Sequence, residues 1–187
     1  MRTRSIASLA CTLLLATASI AQMGDMKDDM KGKMGDMKSM PSPPATAHAT
    51  LNGKALTIKY SAPSMRGRKI MGGLVPYGQV WRTGANAATT LVTATNLKIG
   101  SLSVPAGTYT LFTMPSADTW LLIVNKQTGQ WGLTYDQSKD LGRTPMTAKT
   151  IPSQEKMSIS FENTKGNATE LHVKWDTTDE YVTVTAQ

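Results

Sequence analysis

Cysteine and histidine are almost missing from this chain: its 187 residues include one cysteine, Cys11, and two histidines, His48 and His172. The shortage excludes several chemistries at once. A closed zinc site needs four Cys or His ligands, and a single thiol leaves no disulfide to form within the chain. A thiol nucleophile would have to be Cys11, which sits inside an apolar run. No G-x-S-x-G turn is present to orient a catalytic serine. Clusters of one charge are also scarce. The formal charge of +7 is spread along the sequence, with no Lys/Arg patch interleaved with aromatics, so no nucleic-acid partner is expected.

The N-terminus has the layout of a cleaved secretory signal. Arg2 and Arg4 precede an uncharged run from Ile6 to Ala16, and small residues follow to Ala21. The run is well short of the roughly 20 residues that span a bilayer, so no transmembrane segment is expected after signal cleavage. Ser19 at −3 and Ala21 at −1 place the cut before Gln22, with cleavage after Ala18 as the alternative. Cys11 lies in the middle of the run rather than at its end, which argues against a lipoprotein. The mature protein is thus expected to be exported, to the periplasm or beyond, without cysteine. Losing Arg2 and Arg4 takes its charge from +7 to +5.

Methionine, by contrast, is plentiful, with 12 residues. Six of them, Met23, Met26, Met30, Met34, Met37 and Met40, punctuate the stretch MGDMKDDMKGKMGDMKSM. On an α-helix at 100° per residue these six fall within an arc of about 120°. Gly24, Gly32 and Gly35 each cost about 1 kcal/mol against alanine, and an isolated helix of this length is marginal. The expectation is a flexible arm that orders only when something offsets the cost. Three readings stay open: a tether or docking segment, a Cu(I) or Ag(I) site built from neighbouring thioethers, and a membrane contact through an adaptable apolar stripe. No other cofactor is suggested.

Beyond Pro41-Ser42-Pro43-Pro44, a stiff break, the period changes to two. Ala49-Thr50-Leu51 and Ala55 to Tyr60 flank Asn52-Gly53, a strong hairpin signal. Thr89 to Thr95 reads as a strand, Pro105-Ala106-Gly107 as a turn and Thr108 to Met114 as the strand it feeds. Trp120 to Val124 is apolar on both faces, which predicts a central strand covered on two sides. Three later strands alternate: Met157, Ile159 and Phe161; Leu171, Val173 and Trp175; Val182 and Val184. Only Ser138 to Lys149 offers a helical turn. The pattern predicts an all-β fold, an antiparallel β-sandwich or flattened barrel of about eight strands. Its organisation would be a signal over 1–21, a Met/Lys/Asp-rich arm and Pro linker over 22–44, and one β domain over 45–187.

The segment SAPSMRGRKIMGGLVPYGQVWRTGANAATT, Ser61 to Thr90, is the densest in chemistry, and an irregular connection this long is usually functional. Guanidinium groups at Arg66, Arg68 and Arg82 suit bidentate capture of a carboxylate, sulfate or phosphate. Tyr77 and Trp81 add aromatic faces and Asn86 an amide, for an unknown small ligand or protein partner. The competing reading pairs the arginines with Asp136, Asp140, Glu162 or Asp176 and makes Trp81 core. In that reading Arg82, next to Trp81, belongs to the scaffold, and Arg68, in a glycine-flanked loop, faces solvent. His172, opposite Leu171, Val173 and Trp175 on its strand, is expected at the surface. A hydrolase would need a carboxylate pair from Asp118, Asp136, Asp140 and Asp176, which any small domain can offer. It remains a third reading, and more evidence points away from an enzyme than toward one.

This segment, with Pro105 to Phe112 and Trp120-Leu121-Leu122-Ile123-Val124-Asn125-Lys126, resembles the domain of unknown function 2911 family of exported bacterial proteins. The resemblance runs from about Ala47 to Gln187 and is carried by RGR, GGLVPYG and WRTGAN. It implies an exported β-rich domain and no assigned activity. The chain departs from the family pattern at Ala87, where many members have glutamate. The methionine stretch lies outside the resemblance.

Overall fold

The alternation of period two becomes ten strands in residues 41–187, which are the residues described by the computed structural model. The signal-like region and Met23 through Met40 lie outside them. The strands are β1 (Pro44–Leu51), β2 (Lys54–Ser61), β3 (Thr89–Thr93), β4 (Leu97–Ile99), β5 (Leu102–Val104), β6 (Gly107–Met114), β7 (Leu121–Asn125), β8 (Asp140–Pro145), β9 (Thr147–Lys165) and β10 (Ala168–Ala186). One sheet has the order β1-β2-β3-β6-β7-β8 and the other β5-β4-β10-β9. Every pairing is antiparallel. The two sheets do not close into a barrel. They share one apolar core, with Leu56, Ile58, Leu111 and Val124 from the first sheet meeting Ile99, Val173, Trp175 and Val184 from the second.

Local chemistry explains the elements. Asn52 and Gly53 both adopt positive φ, 50° and 73°, as a two-residue hairpin turn of matching twist requires, and they join Leu51 to Lys54. β7 is buried on both sides, as its sequence predicts. Leu122 and Val124 face the core, while Ile123 and its cross-strand partner Phe112 are buried on the opposite face. The 126–139 connection sets the Tyr135 ring edge-on to Phe112 at 5.0 Å. The helical turn is confined to a 3-10 turn over Gln137–Lys139, and 140–145 and 147–149 are strand. The Pro-rich break enters the domain itself: Pro44 opens β1, and the Pro43 carbonyl accepts a hydrogen bond from Ala62 N–H at 2.9 Å.

Two expectations need correction. Leu171 to Trp175 and Val182 to Val184 belong to one 19-residue strand, β10, rather than two. Its pairing with β9 shifts on either side of Asp176, which has φ 54°. The irregularity switches the inward set from odd positions (Leu171, Val173, Trp175) to even ones (Val182, Val184, Ala186). It also bends the strand, so outward residues before the bend meet outward residues after it. His172 is therefore buried, its ring stacked on Tyr181 at 5.0 Å, and not at the surface.

Candidate functional site

The connection from β2 to β3 is held to the sandwich at three places. Ser64 forms a bridge to Lys156, and Met65 N–H donates to the Glu155 carbonyl at 2.8 Å. Ile70 and Val75 drop fully into the core. Trp81 exchanges backbone hydrogen bonds with Thr113, Trp81 N–H donating at 2.7 Å and Thr113 N–H at 2.9 Å. Trp81 thus joins the sheet through a single bridge. The Trp81 ring stacks on Trp175 at 5.9 Å and meets Trp120 edge-on at 6.1 Å. Burial of three indoles fixes the segment more firmly than its lack of regular pairing suggests.

The turn that follows is strained. Thr83 is buried, yet its φ is 51°, a conformation that a β-branched residue rarely adopts. Neighbours hold it there. Thr89 Oγ1 donates to the Thr83 carbonyl at 2.9 Å, and Thr83 Oγ1 donates to Thr113 Oγ1 at 3.2 Å. Asn86, at φ 59°, accepts from Gly132 N–H at 3.1 Å through its carbonyl. Gly132 is required at that position, because a Cβ would run into the Arg82 stem and the Asn86 carbonyl. Strain kept by surrounding contacts points to a geometry that matters, and here it fixes where Arg82 and Asn86 project.

They project into a cleft of about 280 Å³. Arg68, Trp81, Arg82 and Asn86 line it together, with Leu74 and Pro63 as apolar wall. Leu74 is half exposed at its rim. Arg82 carries the electrostatic anomaly: its Nε is buried and has no hydrogen-bond partner among the described residues. Burial alone lowers its pKa from the ordinary arginine value. A buried donor left without an acceptor costs about 1–3 kcal/mol, more if it is charged.

The four acids proposed as arginine partners are engaged elsewhere. Asp140 binds Arg143 at 3.0 Å, and Asp136 accepts from Ser138 N–H at 2.9 Å. Glu162 binds Lys174 at 2.6 Å, and Asp176 accepts from Ser153 at 3.4 Å. Arg68 bonds its own loop, Nε to the Met65 carbonyl at 2.9 Å and Nη2 to the Ser64 carbonyl at 2.7 Å. Arg66 is exposed and lines neither this cleft nor the next cavity. Its backbone N–H donates to Glu155 Oε1 at 2.9 Å, which holds its left-handed φ of 50°. Tyr77 is separate from the arginine cleft. It lines a second cavity of about 230 Å³ on the other side of the tryptophans, with Trp120, Lys149 and Glu180.

Glu180 went unnoticed in the sequence. It is almost wholly buried, and Oε2 has no partner among the described residues. Burial raises its pKa from 4.5 to about 7, with the charge of Asp179 adding to the effect. The signal was present: Glu180 precedes Val182 by two, so the alternation that buries Val182 also turns Glu180 inward. The acidic group around His172 differs in being satisfied. His172 Nδ1 is hydrogen-bonded to Asp179 at 2.8 Å and Nε2 to Glu170 at 3.2 Å. Among the described residues, no group of three or more His, Cys, Asp or Glu is arranged to hold a metal ion. The six candidate methionine ligands lie outside those residues. No helix of the described residues is long and apolar enough to cross a membrane.

The sequence model of the family described as protein of unknown function (DUF2911) matches residues 42–184, and the chain belongs to that family. No curated protein and no solved structure matches the chain.

Proposed function

We propose that this protein is a binding module for a small organic anion, a carboxylate carried on an apolar body, held in the Arg82 cleft. The buried Arg82 Nε without an acceptor is the observation that carries this reading. A carboxylate oxygen placed there satisfies the donor in charge-assisted fashion. Asn86 and Arg68 add polar contacts at the mouth, and Leu74, Pro63 and the Trp81 edge cover the apolar part of the ligand. Nothing in the cleft supplies a nucleophile and base together, so the role is binding rather than turnover. The signal-like N-terminus supports placing it outside the cytoplasm.

Calorimetric titration with benzoate tests the reading, with acetate and sulfate as anions that lack an apolar body. Benzoate is expected to bind more tightly than either. Arg82→Met, which keeps the stem that packs on Gly132, should weaken benzoate binding about 10–100-fold, the equivalent of one charge-assisted hydrogen bond. Benzoate binding that Arg82→Met leaves intact contradicts the proposal.

The methionine arm supports a second reading, capture of Cu(I) or Ag(I), resting on the 120° arc of six thioethers derived above. Replacing Met26, Met30, Met34 and Met37 with leucine keeps the apolar stripe and removes the sulfur. Cu(I) affinity should then be lost, and an unchanged affinity sinks this reading.

A further inference from the structure

The second cavity is lined by one acid, Glu180, and one lysine, Lys149. Its unsatisfied group is a carboxyl, Glu180, delivered by the inward-facing positions of β10 and 3% exposed. Trp120 and Tyr77 line the same space, and Thr150 and Thr178 bring hydroxyls to it. Tyr77 is seated by Gly72, where a Cβ would approach the Tyr77 ring to 3.0 Å. The titratable neighbours are Lys149 on β9, Tyr77 on the β2–β3 connection and Asp179 beside Glu180 on β10. Asp179 is occupied by His172. Lys149 is exposed and makes no ion pair among the described residues, and no cation offsets the upward shift of Glu180.

We propose that this cavity is a second binding site, for the ammonium group of a small organic amine, with Glu180 as its counter-ion and Trp120 and Tyr77 as its aromatic wall. An ammonium is the group that answers each feature. It donates to the orphaned carboxylate oxygen, its remaining N–H groups reach the threonine hydroxyls, and aromatic rings attract a cation where a neutral donor would gain less. The site is independent of Arg82, which lines the other cleft.

Binding has to be coupled to proton release. Glu180 is ionised when it pairs with an ammonium, while its own pKa in the free protein is about 7. At pH 6 roughly one-tenth of the carboxyl is ionised, so apparent affinity should be about tenfold weaker than at pH 8. Butylammonium chloride is a suitable probe, since it stays cationic across this range, with sodium chloride as control. Calorimetry on the full-length protein is expected to show saturable binding at pH 8, weakening about tenfold at pH 6. Glu180→Gln should abolish it, and Arg82→Met should leave it unchanged. Tyr77→Ala, at an exposed position, should weaken it several-fold without unfolding the protein, which keeps the test decisive if Glu180→Gln does not fold. No saturable binding at pH 8, equal affinity at both pH values, or full affinity in Glu180→Gln overturns the proposal.

Discussion

Arg143 and Arg82 occupy the same small domain and are treated in opposite ways. Around Arg143, Nε and Nη2 donate to Asp140 Oδ2 at 3.1 and 3.0 Å, and Nη2 donates to the Tyr135 hydroxyl at 2.7 Å. Burial opposes that charge, but the oxygens of Asp140 and Tyr135 outweigh it and raise the pKa. Around Arg82 burial acts alone and the pKa falls. The domain evidently has the means to satisfy a part-buried arginine and applies them at the β7–β8 end. Arg82 Nε, by contrast, is left without a partner among the described residues, which is costly, and the anion proposed for its cleft is the group that would answer it.

Truncating the satisfied arginine should have the largest effect. Arg143→Ala removes the charged donor shared by Asp140 and Tyr135, while Asn125 Nδ2 and the Tyr135 hydroxyl still donate to Asp140 at 2.8 and 2.7 Å, and should cost roughly 2–3 kcal/mol, as for a hydrogen bond to a charged group. A urea titration reads it directly. Glu180 comes next, with the opposite sign. Its folded-state pKa of about 7 lies above the ordinary 4.5, so the folded protein binds the proton more tightly than the unfolded chain. Stability from this group is then complete below about pH 4.5 and lost as pH rises to 7. Glu180→Gln should therefore stabilise the protein by about 2 kcal/mol at pH 8 and flatten its stability between pH 5 and 8. A mutant whose melts still fall with pH as steeply as the wild type would show that Glu180 is neutralised inside the fold.

Smaller effects belong to the cleft arginines. Arg82→Met should cost no stability and raise it by about 1 kcal/mol, because it abandons no partner among the described residues and removes a buried unsatisfied donor. Chemical melts that show a loss near that of Arg143→Ala would place Arg82 in the scaffold after all. Arg68→Ala should be smaller still in its effect on melting, since Arg68 is exposed and bonded only to its own loop. Its effect should appear as a few-fold loss of benzoate affinity.

Much of the fold was legible because β-strands advertise themselves locally. Asn52-Gly53 specified its hairpin, and the apolar run of β7 announced burial on both faces. The short strands β4 and β5, three residues each, carry too little alternation to stand out, and β8 lies in the stretch that reads as a helical turn; with these three added and two expected strands merged into β10, ten stand where about eight were expected. His172 shows where local reading fails. Its face was assigned correctly, opposite Leu171 and Val173, but the bend at Asp176 covers that face with Tyr181 and Asp179, contacts that no residue near His172 encodes. The composition of the candidate cleft was legible in part for the same reason. The composition of Ser61 to Thr90 marked it, and Arg68, Trp81, Arg82 and Asn86 do converge. Which side of the tryptophans each residue reaches depends on how Ile70 and Val75 anchor the connection in the core. That sent Tyr77 to the acidic cavity and left Arg66 on the surface.

Whether Arg82 Nε, unpaired among the described residues, takes up an anion is decided by benzoate titration of wild type and Arg82→Met by calorimetry. Saturable binding to the wild type is expected, tighter than that of acetate, with a loss of about 10–100-fold in Arg82→Met and no loss of stability in the variant. Equal affinities in the two proteins, or a variant that loses binding only because it has unfolded, would contradict anion binding by Arg82.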